Sequence, residues 1–272
     1  MESFGNLFAP EQHGFLPGVS TVSKLFVWTN FAGEAINNKL QLDVIITDCS
    51  NTFDMVDHGI LLQRLNEIGF SDKALAFVRP YFHLTFQQVK VGGCLSKKFQ
   101  ATSGVPQGNN LRPLLFLIFI NFLPDCLRYS SGLGFADGFK FFRVVRTLKD
   151  CLELQKHLNE VSNWFKGNGM FLNEEKCGVL SFTRKLSFID GHYNVNKRTL
   201  VRKTTCRDLG VHLKASLRFG KHYTNITSKS YKILGFVIRN SKHVHIDTTI
   251  RFYNALVRPH LKYASVDMGS SS

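Results

Sequence analysis

The stretch Phe135-Ala136-Asp137-Gly138 decides how this chain reads. It interrupts an apolar run from Leu133 to Val145 with residues that favour tight turns. The run therefore reads as a β-hairpin with Asp137 and Gly138 at its tip. Upstream, Asp43-Val44-Ile45-Ile46-Thr47-Asp48 reads as a short strand with Asp48 at its end. The strand, Leu42 to Ile46, is apolar almost without a break, as expected where both faces of a sheet are covered. An aspartate on a hairpin turn and another at a strand end, once brought together, can hold divalent metal ions for phosphoryl transfer. Taken singly, each is also an ordinary turn or cap residue.

Working outward, residues 20–38 carry apolar side chains at helical spacing behind serine and threonine caps. His58 to Ile68 reads as an amphipathic helix closed by Gly69, and Asp72 to Tyr81 as another. Phe86 to Val91 and Lys98 to Thr102 flank Gly92-Gly93 and read as a hairpin. The loop Ser103-Gly104-Val105-Pro106-Gln107-Gly108 feeds a helix expected over Leu114 to Leu127. Leu148 to Lys166 is a long amphipathic helix stopped by Gly167 and Gly169, and Cys177 to Phe182 is a strand. From about residue 186 the sequence becomes Lys/Arg-rich and hairpin-like, followed by helices near 221–239 and 246–257. This order of elements describes an α+β fold, a sheet packed on helices.

A chain of 272 residues with 44% hydrophobic and 20% charged content can bury a proper core. Its 25 phenylalanines make that core aromatic-rich. Lys and Arg number 34 against 20 Asp and Glu, a net charge of +14, which favours a polyanionic partner but fits a solvated basic surface too. The six cysteines are scattered without a Cys-x-x-Cys pair, so they read as reduced structural thiols of an intracellular protein, in nucleus or cytoplasm. His243 and His245 read as surface residues rather than zinc ligands. The start of the chain has neither a basic segment nor an apolar signal core, so secretion is not expected. Leu111 to Leu127 is interrupted by Arg112, Pro113, Asn121, Pro124 and Asp125, so a buried helix is expected there and no membrane partner.

Further segments join the first two. Gln12-His13-Gly14-Phe15, Thr47 to Asp54, Thr102 to Gly108, Pro113-Leu114-Leu115-Phe116, Phe135-Ala136-Asp137, Leu172 to Cys177, Asp208-Leu209-Gly210-Val211 and Leu256-Val257-Arg258-Pro259 occur in this order along the chain. Each is weak alone. Together they resemble the reverse transcriptase of a non-LTR (LINE-type) retrotransposon over nearly the whole chain. The resemblance implies a polymerase palm with an antiparallel sheet packed on helices, partial fingers and the start of a helical thumb. Residues 1–185 would be partial fingers and palm. Residues 186–272 would be a basic connection hairpin and the start of the thumb.

The same resemblance assigns roles. Asp48 and Asp137 would be catalytic and would hold two Mg2+ ions, or Mn2+, for transfer of a nucleotide to a primer 3′ hydroxyl. Phe53 would sit under the nucleotide sugar, Gln107 and Gly108 would contact nucleotide and template, and Lys176 would lie near the triphosphate. The implied partners are an RNA template, a DNA primer and a dNTP. Read alone, Phe53 is a core side chain, the glycine loop only satisfies backbone geometry, and Lys176 is solvated. The chain departs from the pattern at Gly138, where the family has a second carboxylate, and at Leu16, Val19, Arg112 and Phe122. On the resemblance it would start after the upstream fingers strands and stop just past the start of the thumb. A truncated, partly degenerate copy is expected, with weakened or lost polymerase activity. The alternative is a non-catalytic, basic nucleic-acid-binding remnant or relic of a retroelement.

Overall fold

The computed structural model describes residues 7–83, 86–105, 111–185 and 188–263. Ser20 opens helix α1 (Thr21–Asn37) with a reciprocal capping box to Ser23, which satisfies two amides of the first turn. Strand β1 (Gln41–Thr47) follows, then α2 (His58–Glu67), capped by the Asp57 side chain, and α3 (Asp72–His83). Two short ladders come next. β2 (Phe86–Gln87) pairs with β5 (Phe99–Gln100), and inside them β3 (Lys90–Val91) pairs with β4 (Cys94–Leu95) across the Gly92-Gly93 turn.

Helix α4 spans Leu111–Ile120 and stops short of the expected Leu127. Asn121 turns aside, its side chain bonding the Leu7 carbonyl and the Ala9 amide, and Pro124 then starts a 3-10 turn at Pro124–Cys126. The central hairpin is β6 (Ser131–Phe135) and β7 (Gly138–Val145), followed by α5 (Leu148–Gly167) and β8 (Gly178–Phe182). The basic segment forms the hairpin β9 (Asn194–Val195) and β10 (Arg198–Thr199), then β11 (Arg202–Lys203). A second hairpin, β12 (Thr205–Asp208) and β13 (Val211–Lys214), leads to α6 (Gly220–Asn240), α7 (Ile246–Phe252), a π turn and α8 (Arg258–Lys262).

The main sheet has five strands in the order β11-β8-β1-β7-β6. β1 is central and antiparallel to both β7 and β8; only β11 joins in parallel. Each face of the sheet meets its own core. Leu42 and Val44 pack with Leu25, Trp28 and Ala32 of α1, while Ile45 packs with α4 and α5 through Phe116, Phe119, Leu158 and Phe165. This two-sided burial is the reason β1 reads as a continuous apolar run. Phenylalanine carries much of the packing: Phe116, Phe119, Phe141 and Phe182 are all fully buried. All six cysteines are free thiols, and no described helix is long and apolar enough to cross a membrane.

Candidate polymerase site

The register of β1 on β7 brings the two aspartates together. Thr47, the last residue of β1, opposes Phe139, so Asp48 leaves the strand on the side of the hairpin tip that carries Asp137. The Thr47 hydroxyl donates to the Phe139 carbonyl at 2.7 Å and fastens this end of the ladder. Phe135 pairs with Gly138, so the two-residue tip of the hairpin is Ala136-Asp137. Gly138 therefore belongs to β7 and not to the tip, and it is Ala136, at φ 51°, that takes the left-handed conformation.

Asp48 and Asp137 open into one cleft of about 650 Å³, with Phe53, Gly138 and Lys176 on its walls. Phe53 packs on Phe116 with the rings tilted and their centroids 4.5 Å apart, and carries the Arg112 guanidinium 4.7 Å from its own centroid. Arg112 also pairs with Asp54 at 3.4 Å. Lys176 Nζ lies 3.6 Å from Asp48 Oδ1, and the Thr52 hydroxyl donates to Asp137 Oδ2 at 3.3 Å. The Asp48 carbonyl accepts from the Asn173 amide at 2.8 Å, which ties the strand end to the turn before β8. Gln107 and Gly108 lie outside the described residues.

Other residues of the cleft do not stand out in the sequence. Lys24 of α1 is buried, donates to the Gly138 carbonyl at 3.2 Å and lines the cleft. Burial, with Lys140 adding to it, lowers its pKa to about 7. The buried Lys140 forms an ion pair with the partly exposed Asp208, which also accepts from Trp28 Nε1 at 3.1 Å. Lys203, Arg207 and Asp208 also line the cleft. A signal for Lys24 did exist, since it precedes Trp28 and Ala32 by one and two helical turns on the buried face of α1.

The donor set can be tested for a metal ion. Two carboxylates on one wall, next to a hydroxyl, suit a hard divalent cation that takes its remaining ligands from water or phosphate oxygen. Among the described residues no group of three metal-type side chains converges. The residues fit a weakly held ion. Burial raises the adjacent Cys49 thiol well above its ordinary range, with Cys177 and Asp48 adding to the shift, so it stays protonated and is a poor ligand.

The chain is similar to polymerases of mobile elements. The chain is 26% identical over 268 residues to the RNA-directed DNA polymerase from mobile element jockey of Drosophila funebris, covering 93% of this chain and 29% of that protein. It is 25% identical over 230 residues to the probable RNA-directed DNA polymerase from transposon BS of Drosophila melanogaster, covering 81% of this chain and 25% of that protein. The chain thus spans less than a third of the length of these relatives. Among solved structures, apo telomerase from Candida tropicalis superposes with a TM-score of 0.55 at 14% identity, over 96% of this chain and 47% of that one. Candida tropicalis telomerase in complex with the TWJ fragment of telomeric RNA gives 0.54 at 13%, over 96% and 43%. At such identities these two likenesses speak for the fold, the α+β palm expected from the sequence. The family model for reverse transcriptase (RNA-dependent DNA polymerase) matches residues 1–238. With the hairpin, the central strand and the intervening loop in that family's order, this chain belongs to the reverse transcriptase family.

Proposed function

We propose that this chain is the palm-bearing part of an RNA-directed DNA polymerase, extending a DNA primer on an RNA template from dNTPs, with activity weakened by the residues it carries. The observation that carries the reading is the shared cleft of Asp48 and Asp137, set by strand register at the end of the central strand. Asp48 and Asp137 would hold two divalent ions, Mg2+ or Mn2+. Such ions, when bound, lower the pKa of a primer 3′ hydroxyl and neutralise charge on the departing pyrophosphate.

The chain's own side chains divide the remaining work. Phe53, backed by Phe116, offers an aromatic floor for a nucleotide sugar. Lys176, exposed beside Asp48, is placed to meet a triphosphate. Thr52 orients Asp137. Gln107 and Gly108 would complete the nucleotide contacts. Gly138 leaves the cleft one carboxylate short, and hard cations bind in proportion to the anionic oxygen around them. Residues 1–185 are taken as partial fingers and palm, and 186–272 as connection and start of the thumb.

Primer extension on an RNA template, with Mg2+ and then Mn2+, tests the proposal. Product should disappear in Asp48→Ala and rise in Gly138→Asp. A second reading, a non-catalytic nucleic-acid-binding remnant, is favoured by the surface of α6 to α8. Tyr231 and Phe236 are well exposed there, among Lys229, Lys232 and Arg239. Exposed aromatics between cations stack bases and neutralise phosphates without a metal. That reading requires salt-sensitive RNA binding, indifferent to Mg2+ and to Asp48→Ala, and no extension product from any variant.

A further inference from the structure

We propose that Gln12 is a positioning residue for Asp137, its side-chain oxygen holding the strained turn on which Asp137 stands. The inference rests on the reading of Asp137 as a metal ligand. Segment 11–13 lies along the free edge of β6: Gly134 donates to the Glu11 carbonyl at 2.8 Å, and the His13 amide donates to the Gly134 carbonyl at 2.9 Å. This strip carries the Gln12 side chain under the hairpin tip, where it is buried. Its Oε1 accepts from the Gly14 amide at 2.8 Å and from the Ala136 amide at 3.2 Å. Both partners are N–H donors, so the group needed at this point is an acceptor.

The Ala136 amide belongs to the residue with φ 51°, a conformation that a side-chain-bearing residue keeps only where its surroundings fix it. The surroundings are built for the purpose. A Cβ at Gly14 would stand 2.5 Å from the Ala136 nitrogen, and one at Gly134 would stand 3.1 Å from Gln12 Nε2. Side chains at either place would push the tip and the glutamine apart. On the other flank Lys24 fastens the Gly138 carbonyl, so the residues on both sides of Asp137 are held while its carboxylate, turned by Thr52, lines the cleft. The segment Gln12-His13-Gly14 thus serves the site from outside, through backbone it does not share.

The experiment follows two quantities in the full chain: exchange of the Ala136 amide, and Mn2+ affinity by electron paramagnetic resonance. Gln12→Met keeps the length of the side chain and removes the acceptor. It should raise exchange at Ala136 and weaken Mn2+ binding, each by about fivefold to tenfold, the scale of one lost hydrogen bond. Gln12→Glu retains the acceptor and should keep the amide protected. Adding Ala136→Gly to Gln12→Met should recover part of the Mn2+ affinity, because glycine takes a positive φ without strain. A purely structural glutamine would lower the melting temperature without this pattern of rescue. The inference is overturned if Gln12→Met changes neither quantity while Asp137→Asn abolishes Mn2+ binding. If Asp137→Asn leaves Mn2+ binding intact, the metal-site reading itself falls and takes the role of Gln12 with it, whatever the exchange data show.

Discussion

Gly138→Asp restores the carboxylate that the resemblance places after Asp137, and the structure says what it should do. Gly138 sits in β7 outside the left-handed region, and a Cβ there would meet only the Phe135 carbonyl at 3.5 Å, an ordinary contact. The substitution therefore costs little packing. The thermal midpoint should stay within about 3 °C of the parent, the shift that ~1 kcal/mol produces in a chain of this size. The new carboxylate would line the cleft shared by Asp48 and Asp137. Two unit charges 4 Å apart attract by about 1 kcal/mol in water, so a dication gains roughly 2 kcal/mol even at full solvent screening. That corresponds to Mn2+ binding about 10- to 30-fold tighter, less at high salt. A Mn2+ titration followed by electron paramagnetic resonance at two ionic strengths reads this directly. An unchanged or weaker affinity in a folded Gly138→Asp protein would refute the idea that this end of the hairpin holds cations.

Three more outcomes follow from buried polar groups. Lys140→Met leaves the partly exposed Asp208 without its cation, only Trp28 Nε1 still bonded to it, and should cost about 1–3 kcal/mol in urea unfolding, whereas Lys140→Met combined with Asp208→Leu should recover part of it. Lys24 has a folded pKa lowered to about 7, below its unfolded value, so its burial penalty is complete below pH 7 and fades as pH rises toward 10. Lys24→Met should thus stabilise the chain most at pH 7 or below, the advantage shrinking by about 1.4 kcal/mol per pH unit between pH 7.5 and 9; an advantage that grows with pH would contradict the assignment. Tyr193 donates to the fully buried Asp43 at 2.7 Å, so Tyr193→Phe should destabilise by about 1–3 kcal/mol in the same assay.

Much of this architecture is legible in the residues because it rests on local pattern. β1 shows itself by its unbroken apolar run, α5 by its periodicity, and the hairpin by the turn residues between two apolar halves. The pairing of Asp48 with Asp137 could be expected from motif order alone, and the register of β1 on β7 gives it a geometry. What escapes the sequence is set by distant partners. Arg202 and Lys203 look like solvated charges, yet they form the fifth strand of the sheet beside β8. Lys24, Lys140 and Asp208 would be placed at the surface by residue type, and only the packing of α1, β7 and β12 brings them together. The turn misleads in a further way: glycine is the natural choice for a positive φ, but here Ala136 adopts it and Gly138 continues the strand.

Polymerisation at this site requires Asp48 and Asp137 to share a cation. Crystals soaked in Mn2+ with a primer–template duplex and dNTP, measured at the manganese edge, put that to the test. Anomalous density lying between the two carboxylates is the predicted result. Manganese bound elsewhere, with both aspartates free of it, would contradict the account.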